Sequence, residues 1–452
     1  MLGLAQLGAS HSPRRALAVL ACLAGAALAG CAGDKPPVGR TYGTEPKLPE
    51  PDESLLPTVN VAPAIGWPED RTPQAAEGFS VNAFATGLDH PRWLYRLPNG
   101  DVLVAETNAP RRPLEHEGLR GWLMKKAMER AGAAVPSANR ITLLRDTDGD
   151  GRADVQSTFL ENLNSPFGMY LSGRDFYVAN TDALLRFDYE PGSEKITAAG
   201  EHVADLPAGP LNHHWTKNVI GSADGETLFV TVGSNSNVAE NGLDKEERRA
   251  AILTVDPATG AVATFANGLR NPNGLAWHPR TGELWTTVNE RDELGDNLVP
   301  DFMTSVKQGG FYGWPYSYFG QHVDERVQPQ RPELVAQAIV PDYALGAHTA
   351  SLGLAFYTAE ALPAHYRHGA FVGQHGSWNR EELSGYRVVF VPFEDGRPAG
   401  PPEDILTGFV SGEGKAFGRP VGVITAADGA LLVADDVGNV VWRVAPDGTA
   451  VR

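Results

Sequence analysis

Cysteine and basic residues are scarce in this sequence. The 452 residues include two cysteines, Cys22 and Cys31. Because both lie near the start, the rest of the chain must fold without a disulfide framework. Lys and Arg number 38 against 55 Asp and Glu, which leaves a formal net charge of −17. A chain this acidic is not expected to bind nucleic acid, and an anionic ligand would need a local basic pocket.

Long apolar runs are also scarce, and the clearest one lies near the start. Residues 16–30 are apolar and follow two arginines; this run is too short to span a bilayer as a helix but is typical of a signal peptide. It ends in LAGC, which resembles a bacterial lipobox and whose last residue is Cys31. We therefore expect a lipoprotein signal peptide over residues 1–30, lipid on Cys31, and a mature chain held by this anchor at a membrane in the periplasm. An ordinary secretory signal is the alternative.

The segment after this signal lacks hydrophobic periodicity. Residues 31–75 are rich in Pro, Gly, Asp and Glu, a composition typical of a flexible tether. We expect the folded domain to occupy residues 76–452. The chain as a whole is 42% hydrophobic and 21% charged, which indicates a globular protein and excludes a disordered one.

Glycine and proline punctuate short β-rich runs instead of forming low-complexity tracts. A Gly or Pro turn, a short apolar run, a second turn and another β-rich run recur six times. This pattern predicts an all-β fold, a six-bladed β-propeller in which ring closure covers the hydrophobic face of each unit. A two-sheet sandwich is the alternative. The copies are GLDHPRWLYRLPNGDVLVAET, NLNSPFGMYLSGRDFYVAN, TKNVIGSADGETLFVTVGS, GLRNPNGLAWHPRTGELWTTVNE, ASLGLAFYTAEALPAHYRHGAFVGQHG and GRPVGVITAADGALLVADDVGNVVWRV.

Residues 113–134 interrupt the repeats with apolar side chains near helical spacing. They include Leu119, Trp122, Leu123, Met124 and Met128. We expect a short amphipathic helix inserted between strands. A helix that covers a propeller edge is favoured, and docking to a membrane or a partner is the alternative.

A second segment, DTDGDGRAD, resembles a calcium loop of hard oxygen ligands. It places Asp146, Asp148, Asp150 and Asp154 around two glycines. The twelfth position, where an EF-hand needs Glu, is Ser157. A structural calcium site and a plain acidic turn both remain open.

Function on a propeller depends on the loops at one mouth of its axial channel. The polar loops of this chain stand at the start or end of a repeat, so we expect them to converge on one opening. They are LNHHWTKN, GSNSNVAENG, GLRNPNG, VNERDELGDNLVPD, QGGFYGWP, GQHGSWNR and GRPVG.

These loops make the chain similar to the pyrroloquinoline quinone (PQQ)-dependent glucose/sorbosone dehydrogenase family, most closely to its sorbosone dehydrogenase branch. The similarity runs from about Gly78 to Val444 and rests on RNPNGLAWHP, NERDELGDNLVPD, GGFYGWP, QHGSWNR and GRPVGV. It implies oxidation of a sugar or a related hydroxyl or aldehyde compound, with hydride transfer to PQQ, a planar quinone with three carboxylates. It also implies a Ca²⁺ ion that polarises the quinone and an external electron acceptor, a quinone or a cytochrome.

The resemblance assigns the general base to His213 and pairs it with Lys217, leaving His214 as a neighbour. A histidine suits the removal of the hydroxyl proton because its pKa lies near neutrality. Asn212 departs from the soluble glucose dehydrogenases, which have aspartate there. An amide can orient an imidazole but stabilises its protonated form less well, so glucose as the substrate is in doubt.

The resemblance also assigns residues that contact PQQ. Arg270 and Asn271 match an Arg-Asn pair, Arg419 matches a carboxylate-binding arginine, and Asn235 aligns loosely with a glutamine. The lysine that the glucose enzymes carry near QHGSWNR is absent, and Arg380 or His375 is the candidate substitute. Trp378 could stack on the quinone, and His348 is a weaker candidate for the pocket wall.

Calcium near the cofactor is held in the family partly by backbone carbonyls. The matching positions are Glu290 and Arg291, where the glucose enzymes have Gly-Pro. Two other functions remain open on this sequence. One is a calcium-dependent, lactonase-like hydrolase with oxygens of Asn271, Asn235, Glu290 and Asp436 around an axial metal. The other is a non-catalytic binding propeller.

Overall fold

The computed structural model describes residues 41–52, 58–111 and 125–448 of the chain. The regular structure in these ranges is nearly all β-strand, and six antiparallel sheets have four or more strands each. The innermost strands of these sheets contact one another in order around a ring. The protein is therefore a six-bladed β-propeller. The predicted fold class is confirmed, and the alternative two-sheet sandwich is wrong.

The four strands of each blade are numbered here from the channel outward. Blade 1 comprises Pro91–Arg96, Val102–Glu106, Arg140–Arg145 and Val155–Leu160. Blade 2 comprises Met169–Ser172, Asp175–Ala179, Ala183–Asp188 and Glu201–Asp205. Blade 3 comprises Val219–Gly221, Leu228–Val232, Ala251–Val255 and Val262–Asn267.

The other three blades repeat this order. Blade 4 comprises Pro272–Trp277, Leu284–Val288, Pro300–Ser305 and Tyr343–Ala347. Blade 5 comprises Ser351–Phe356, Gly369–Gln374, Arg387–Glu394 and Glu403–Thr407. Blade 6 comprises Pro420–Thr425, Leu431–Asp435, Val440–Pro446 and Phe79–Ala85. Short elements outside the blades are the strands Ser317–Tyr318, His322–Val323 and Arg397–Pro398, the 3₁₀ turns Leu243–Glu246 and Ala364–Arg367, and the helix Pro332–Val335.

The second strands show why hydrophobic clusters fill the spaces between neighbouring blades. Val102–Glu106, Leu228–Val232 and Leu431–Asp435 are buried at every residue. Neighbouring blades cover both faces of such a strand, so its sequence is mostly apolar instead of alternating between apolar and polar residues. Each blade thereby depends on the next for its core.

Two distant parts of the chain close the ring. Phe79–Ala85 pairs antiparallel with Val440–Pro446, so the first strand of the folded domain completes the last blade. Backbone hydrogen bonds between the first and last blade strands therefore hold the ring closed.

The described part of the predicted tether packs on the propeller, which differs from the expectation of a flexible segment. Tyr42–Gly43 adds a strand to the edge of blade 4, and Gln74–Ala75 adds one to the edge of blade 5. Trp67 packs on the aromatic rings of Phe409 and Phe417. These contacts come from backbone pairing and one large side chain. Neither produces a periodic hydrophobic pattern in the sequence, so the pattern did not reveal them.

The helical insertion is described only in part. Residues 125–130 are helical, as predicted, and residues 113–124 of the predicted helix lie outside the described residues. The signal peptide and Cys31 also lie outside them. Across the described ranges, no helix combines the length and the apolar character needed to cross a membrane.

The acidic loop links the third and fourth strands of blade 1. Candidate ligand oxygens of Asp146, Asp148 and Asp154 lie within 4.8 Å of one another. Asp146 already accepts the backbone N–H groups of Gly149 and Gly151, at 2.7 and 2.9 Å. These bonds fit a plain acidic turn without requiring an ion.

Candidate active site at the propeller rim

The predicted functional side chains lie in connections at one edge of the ring, which we call the rim. In an antiparallel blade, the link from the preceding blade and the link between the second and third strands emerge at the same edge. His213, Arg270 and Arg419 lie in links between blades, whereas Asn235 and Glu290 lie in second-to-third links. The topology thus brings these predicted loops to one opening.

The loop GGFYGWP reaches the rim by a different route. Residues 309–315 follow the third strand of blade 4 and therefore start from the opposite edge. The chain turns back along blade 3, where the backbone N–H of Tyr312 donates to the carbonyl of Asn267 at 3.0 Å. Buried Trp314 then donates its indole N–H to the carbonyl of Asn237 at 3.0 Å. This segment supports the blade 3 loop from outside.

Side-chain contacts join the rim loops across blade boundaries. Asn379 of blade 5 donates to Asp292 of blade 4 at 2.7 Å. His375 of blade 5 contacts Asp436 of blade 6 at 2.9 Å, and Arg92 of blade 1 donates to the same carboxylate at 2.8 Å. The rim is therefore a connected polar network.

The histidine pair occupies the link from blade 2 to blade 3. His213 is exposed, and its ring centroid lies 4.6 Å from that of the half-buried His214. Nδ1 of His214 lies 2.9 Å from the carbonyl oxygen of Ser234, which fixes the orientation of that ring. Of the two rings, His213 is the more open to a substrate at the mouth.

Lys217 differs from the prediction that it contacts a cofactor. It is fully buried, and its Nζ donates to the carbonyl oxygen of Trp215 at 3.1 Å. Burial holds the pKa of this ammonium well below its ordinary value, and nearby Arg249 adds to the effect. A sequence pattern that pairs a base with a cation cannot show which way the cation points. Here Lys217 supports the histidine loop from behind.

The negative charges near His213 are the carboxylates of Glu240 and Asp292, which lie in other loops than His213 and Asn212. The side-chain oxygen of Asn212 is buried and accepts from Arg249 at 3.1 Å. Burial opposes ionisation of Glu240 and Asp292, but hydrogen-bond donors and the attraction of His213 lower the pKa of both carboxyls below the ordinary value. These two carboxylates can stabilise a protonated His213.

Arg270 ties two loops together beneath the mouth. It is 1% exposed, and its guanidinium donates to the carbonyls of Glu290 at 2.6 Å and Asn237 at 3.2 Å. It also lies 3.3 Å from a carboxylate oxygen of Asp292. The predicted contact with PQQ is not open to Arg270 in this arrangement, because its donors already serve the protein.

Calcium does not fit at the predicted carbonyls. The Glu290 carbonyl already accepts from the Arg270 guanidinium, and a second cation there would meet that positive charge. Arg291 is also buried and places its own guanidinium 2.6 Å from Asp324. Among the described residues, Asp146, Asp148 and Asp154 form the one group of three candidate metal ligands, and they lie at the edge opposite the rim. The predicted metal role of Glu290 and Arg291 is therefore not supported by the geometry.

A second part of the rim is strongly basic. Arg92 and Arg419 lie close enough to repel each other, and both are within the same buried network as Asp436. His375 and His90 also face Asp436, with nitrogen-to-oxygen distances of 2.9 and 3.5 Å. Burial raises the pKa of Asp436, but the two histidines and Arg92 outweigh burial and hold it well below its ordinary range. We call Arg92, Arg419 and the Asp436 network the basic pocket.

Several buried polar atoms at the rim have no hydrogen-bond partner among the described residues. Buried polar groups are normally paired, so such atoms mark a place where a ligand could bind. They include Nε of Arg92, Arg380 and Arg419 and the side-chain oxygens of Asn235 and Asn271. The three cationic donors suit a ligand with several carboxylates, and the two amide oxygens could accept from an N–H or O–H of the same ligand.

Aromatic faces flank this pocket. The guanidinium carbon of Arg92 lies 5.7 Å from the ring centroid of Trp215, and that of Arg419 lies 4.8 Å from Tyr386. Trp378 is half-buried at the rim, in the loop that also holds Arg380. His348 is buried behind this loop and lies 3.5 Å from Asp292. A planar ligand would find both cations and rings here.

Sequence reasoning missed Arg92 and Asp292. Arg92 stands in the strand PRWLYR, where the apolar pattern hides it. The strand register shifts between Pro91 and Trp93, and a shift of register changes the face to which a side chain points. NERDELG did contain a signal for Asp292, because a carboxylate directly after the two predicted calcium-holding residues, Glu290 and Arg291, is itself a candidate for the site.

Comparisons with known proteins agree with this fold. An uncharacterized protein of Borreliella burgdorferi is 29% identical, with 64% of this chain and 77% of that protein aligned. The pyrroloquinoline quinone-dependent pyranose dehydrogenase of Coprinopsis cinerea is 26% identical, with 82% of this chain aligned to 54% of that protein. This chain thus spans about half the length of that enzyme.

A solved structure extends the comparison to three dimensions. The holo form of the pyranose dehydrogenase PQQ domain from Coprinopsis cinerea superposes with a TM-score of 0.67 and 22% identity. The match covers 85% of this chain and all of that domain. A family model described as a domain of unknown function, DUF7133, matches residues 98–443. The chain therefore belongs to the DUF7133 family.

Proposed function

We propose that this protein oxidises a sugar or a related hydroxyl or aldehyde compound with PQQ as its cofactor. The observation that carries the proposal is the basic pocket. In a chain with a net charge of −17, the buried Arg419 lies close enough to repel the largely buried Arg92, whose side chain is 12% exposed, and Nε of each has no partner among the described residues. Collecting buried positive charge in an acidic protein is costly unless it serves an anion. The relative from Coprinopsis cinerea is named for PQQ and pyranose, which supports this reading.

The residues divide into two groups. Arg92, Arg419 and Arg380 would hold carboxylates of the cofactor, and the side-chain oxygens of Asn235 and Asn271 would orient it. When bound, PQQ supplies a quinone that accepts hydride from carbon. His213 would take the hydroxyl proton of the substrate. The arginines of the basic pocket supply positive charge on one side of the rim, and the exposed imidazole of His213 lies on the other side.

The carboxylates near His213 complete the proposed proton transfer. Asp292 and Glu240 would stabilise the protonated imidazole after it accepts the hydroxyl proton. Asp292 is itself fixed by Asn379 at 2.7 Å. This arrangement would replace the aspartate that the glucose enzymes carry at the position of Asn212.

Calcium is left out of the proposal because the predicted carbonyls do not fit it. A lactonase-like hydrolase is not favoured either, because one of the carboxylates suggested for its axial metal is already engaged by basic side chains. Asp436, one of its suggested ligands, is already surrounded by Arg92, His375 and His90.

Dye reduction tests the proposal. Purified apoprotein supplied with PQQ should reduce an artificial electron acceptor when it is given aldoses, sorbosone-like aldehydes or pyranoses, and should not do so without PQQ. Lactone hydrolysis in the absence of PQQ would support the hydrolase instead. If the folded protein catalyses neither reaction, the result would favour a non-catalytic binding propeller. Replacing the dye with a soluble quinone or a cytochrome would identify the class of electron acceptor.

We also propose that Cys31 is lipidated and anchors the protein to a membrane of the bacterial envelope, facing the periplasm. Support comes from the LAGC sequence after a short apolar run. Labelled palmitate should enter the wild-type protein and not the Cys31→Ser variant, and the variant should move from the membrane to the soluble fraction. Equal labelling of both proteins would contradict the proposal.

A further inference from the structure

Residues 58–67, which we call the strap, cross the rim beside the basic pocket. Ala64 forms a parallel bridge with Ala416, and the backbone N–H of Ile65 donates to the Ala416 carbonyl at 2.8 Å. The backbone N–H of Asn60 donates to the Trp378 carbonyl at 2.9 Å. The strap thus binds two different rim loops, one within blade 5 and one between blades 5 and 6.

Trp67 ends the strap and reaches a buried carboxylate. Its indole N–H donates to Oδ2 of Asp435 at 2.6 Å. Its ring stacks on Phe417 and meets the edges of Phe409 and Trp442. The side chain is therefore fixed by packing as well as by its hydrogen bond.

Asp435 links Trp67 to Arg419, because one of its carboxylate oxygens accepts from Trp67 and the other from Arg419. Oδ1 of Asp435 accepts the backbone N–H of Arg419 at 2.7 Å and that of Gly438 at 2.8 Å. Oδ2 also accepts the indole N–H of Trp442, at 3.0 Å. A fully buried carboxylate depends on such donors, and loss of one leaves part of its charge uncompensated.

The strap also contacts the other end of Arg419. The guanidinium donates to the Ala62 carbonyl at 3.4 Å, while its carbon lies 4.8 Å from the Tyr386 ring. Arg419 is 3% exposed. Both its backbone and its side chain are therefore held by contacts that begin in the strap.

We propose that the strap is a wall of the basic pocket, and that Trp67 is a positioning residue that fixes Arg419 through Asp435. This inference rests on the proposed function for its ligand. It gives the segment ahead of the propeller a role in cofactor binding.

The first test compares two Trp→Phe variants. Trp67→Phe keeps an aromatic ring but loses the N–H donor, so PQQ affinity should fall about tenfold, as expected for one charge-assisted hydrogen bond. Trp277 donates its indole N–H to the Gly221 carbonyl at 2.8 Å, at the end of its strand remote from the rim. Trp277→Phe should therefore leave PQQ affinity within about twofold. Fluorescence titration of each apoprotein measures the affinity.

A double-mutant cycle separates positioning from general loosening. In Asp435→Asn, one carboxylate oxygen becomes an NH2 donor. The remaining oxygen is expected to keep the backbone N–H groups of Arg419 and Gly438, so the Trp67 indole loses its acceptor. Adding Trp67→Phe to this background should cause no further loss of PQQ affinity. A tenfold additional loss in the Asp435→Asn background would mean that Trp67 does not act through Asp435, and the inference would be overturned.

A measurement without ligand tests the position of Arg419 even in variants that bind no PQQ. Phenylglyoxal labelling with mass spectrometry should modify Arg419 at least tenfold faster in Trp67→Phe than in wild type. Exposed Arg174 should react equally in both proteins. Unchanged labelling of Arg419 overturns the inference. Faster labelling supports it even if wild type itself binds no PQQ, a result that would overturn the proposed function alone.

Discussion

Arg92 and Asp436 form a buried ion pair across the junction of blades 1 and 6, with Nη1 of Arg92 2.8 Å from Oδ2 of Asp436. Asp436 is 1% exposed, and Arg92 also lies against Trp215. Asp436 is shared with His375 and His90, and the nearby Arg419 repels Arg92, so basic side chains are in excess around this carboxylate. A bound polycarboxylate would balance this excess.

Removing the Arg92 charge tests this arrangement. Arg92→Met should weaken PQQ binding by at least about tenfold, because one charge-assisted contact to a carboxylate is lost. Arg174 is exposed on blade 2 and pairs with Asp188, so Arg174→Met is a matched control that should leave binding unchanged. Isothermal titration of apoprotein with PQQ measures both. Equal affinity of Arg92→Met and wild type would contradict a carboxylate contact at Arg92.

His213→Ala should separate catalysis from cofactor binding. Loss of a general base typically lowers the rate by about 10²–10⁴-fold, so the rate of dye reduction should fall by a factor in that range. PQQ affinity should change by less than about threefold, since the exposed imidazole lies outside the basic pocket. The exposed His202 pairs with Asp205, and His202→Ala should keep full activity. Parallel loss of binding and turnover would reassign His213 to a cofactor contact.

Two glycines of one loop give a test of the pocket's packing. A Cβ at position 418 would lie 2.0 Å from Oδ2 of Asp435, whereas a Cβ at position 412 meets nothing within 4 Å. Gly418→Ala should lower the free energy of unfolding by about 1–3 kcal/mol and weaken PQQ binding, since Arg419 follows directly. Gly412→Ala should stay within about 0.5 kcal/mol of wild type. Urea unfolding of both variants measures the difference, and equal stability would show that the Asp435 contact is not tight.

Glu290 should make stability depend on pH. Burial raises its pKa from 4.5 to about 7 in the folded protein, despite the opposing backbone N–H of Arg291 and the charge of Arg270. Between these values the folded state binds more protons than the unfolded state, so this group lowers the free energy of unfolding as pH rises from 4.5 to 7. Above pH 7 the cost is on the order of 3 kcal/mol.

Glu290→Gln removes this titration. Relative to wild type, the variant should gain stability progressively from pH 4.5 to pH 7 and show little difference below pH 4.5. Urea unfolding at pH 4, 5, 6, 7 and 8 provides the comparison. A difference between the two proteins that is constant across this range would contradict the assigned titration.

The repeats made the fold predictable from the sequence. Turn residues followed by short β-rich runs reflect local backbone preferences that hold in every blade, so six copies indicate six sheets. The same regularity explains why loops around His213 and Arg419 share one rim. Links at corresponding places in a blade emerge at the same edge.

The direction of individual side chains was not predictable in the same way. Arg270 and Lys217 sit in the expected loops, but their donors point at backbone carbonyls. Arg92 lies where the strand register shifts, between Pro91 and Trp93, and an apolar pattern does not record such a shift. Trp67 lies in a Pro-rich segment where a single side chain, not a period, provides the packing.

Titration of apoprotein with PQQ, followed by absorbance, tests the central claim most directly. The basic pocket predicts saturable binding of one PQQ per chain, and weaker binding in Arg92→Met and Arg419→Gln. Binding should persist in EDTA, because the Glu290 carbonyl accepts from Arg270 and is not open to calcium. Binding that is not saturable, or that both variants retain at full strength, would contradict the account.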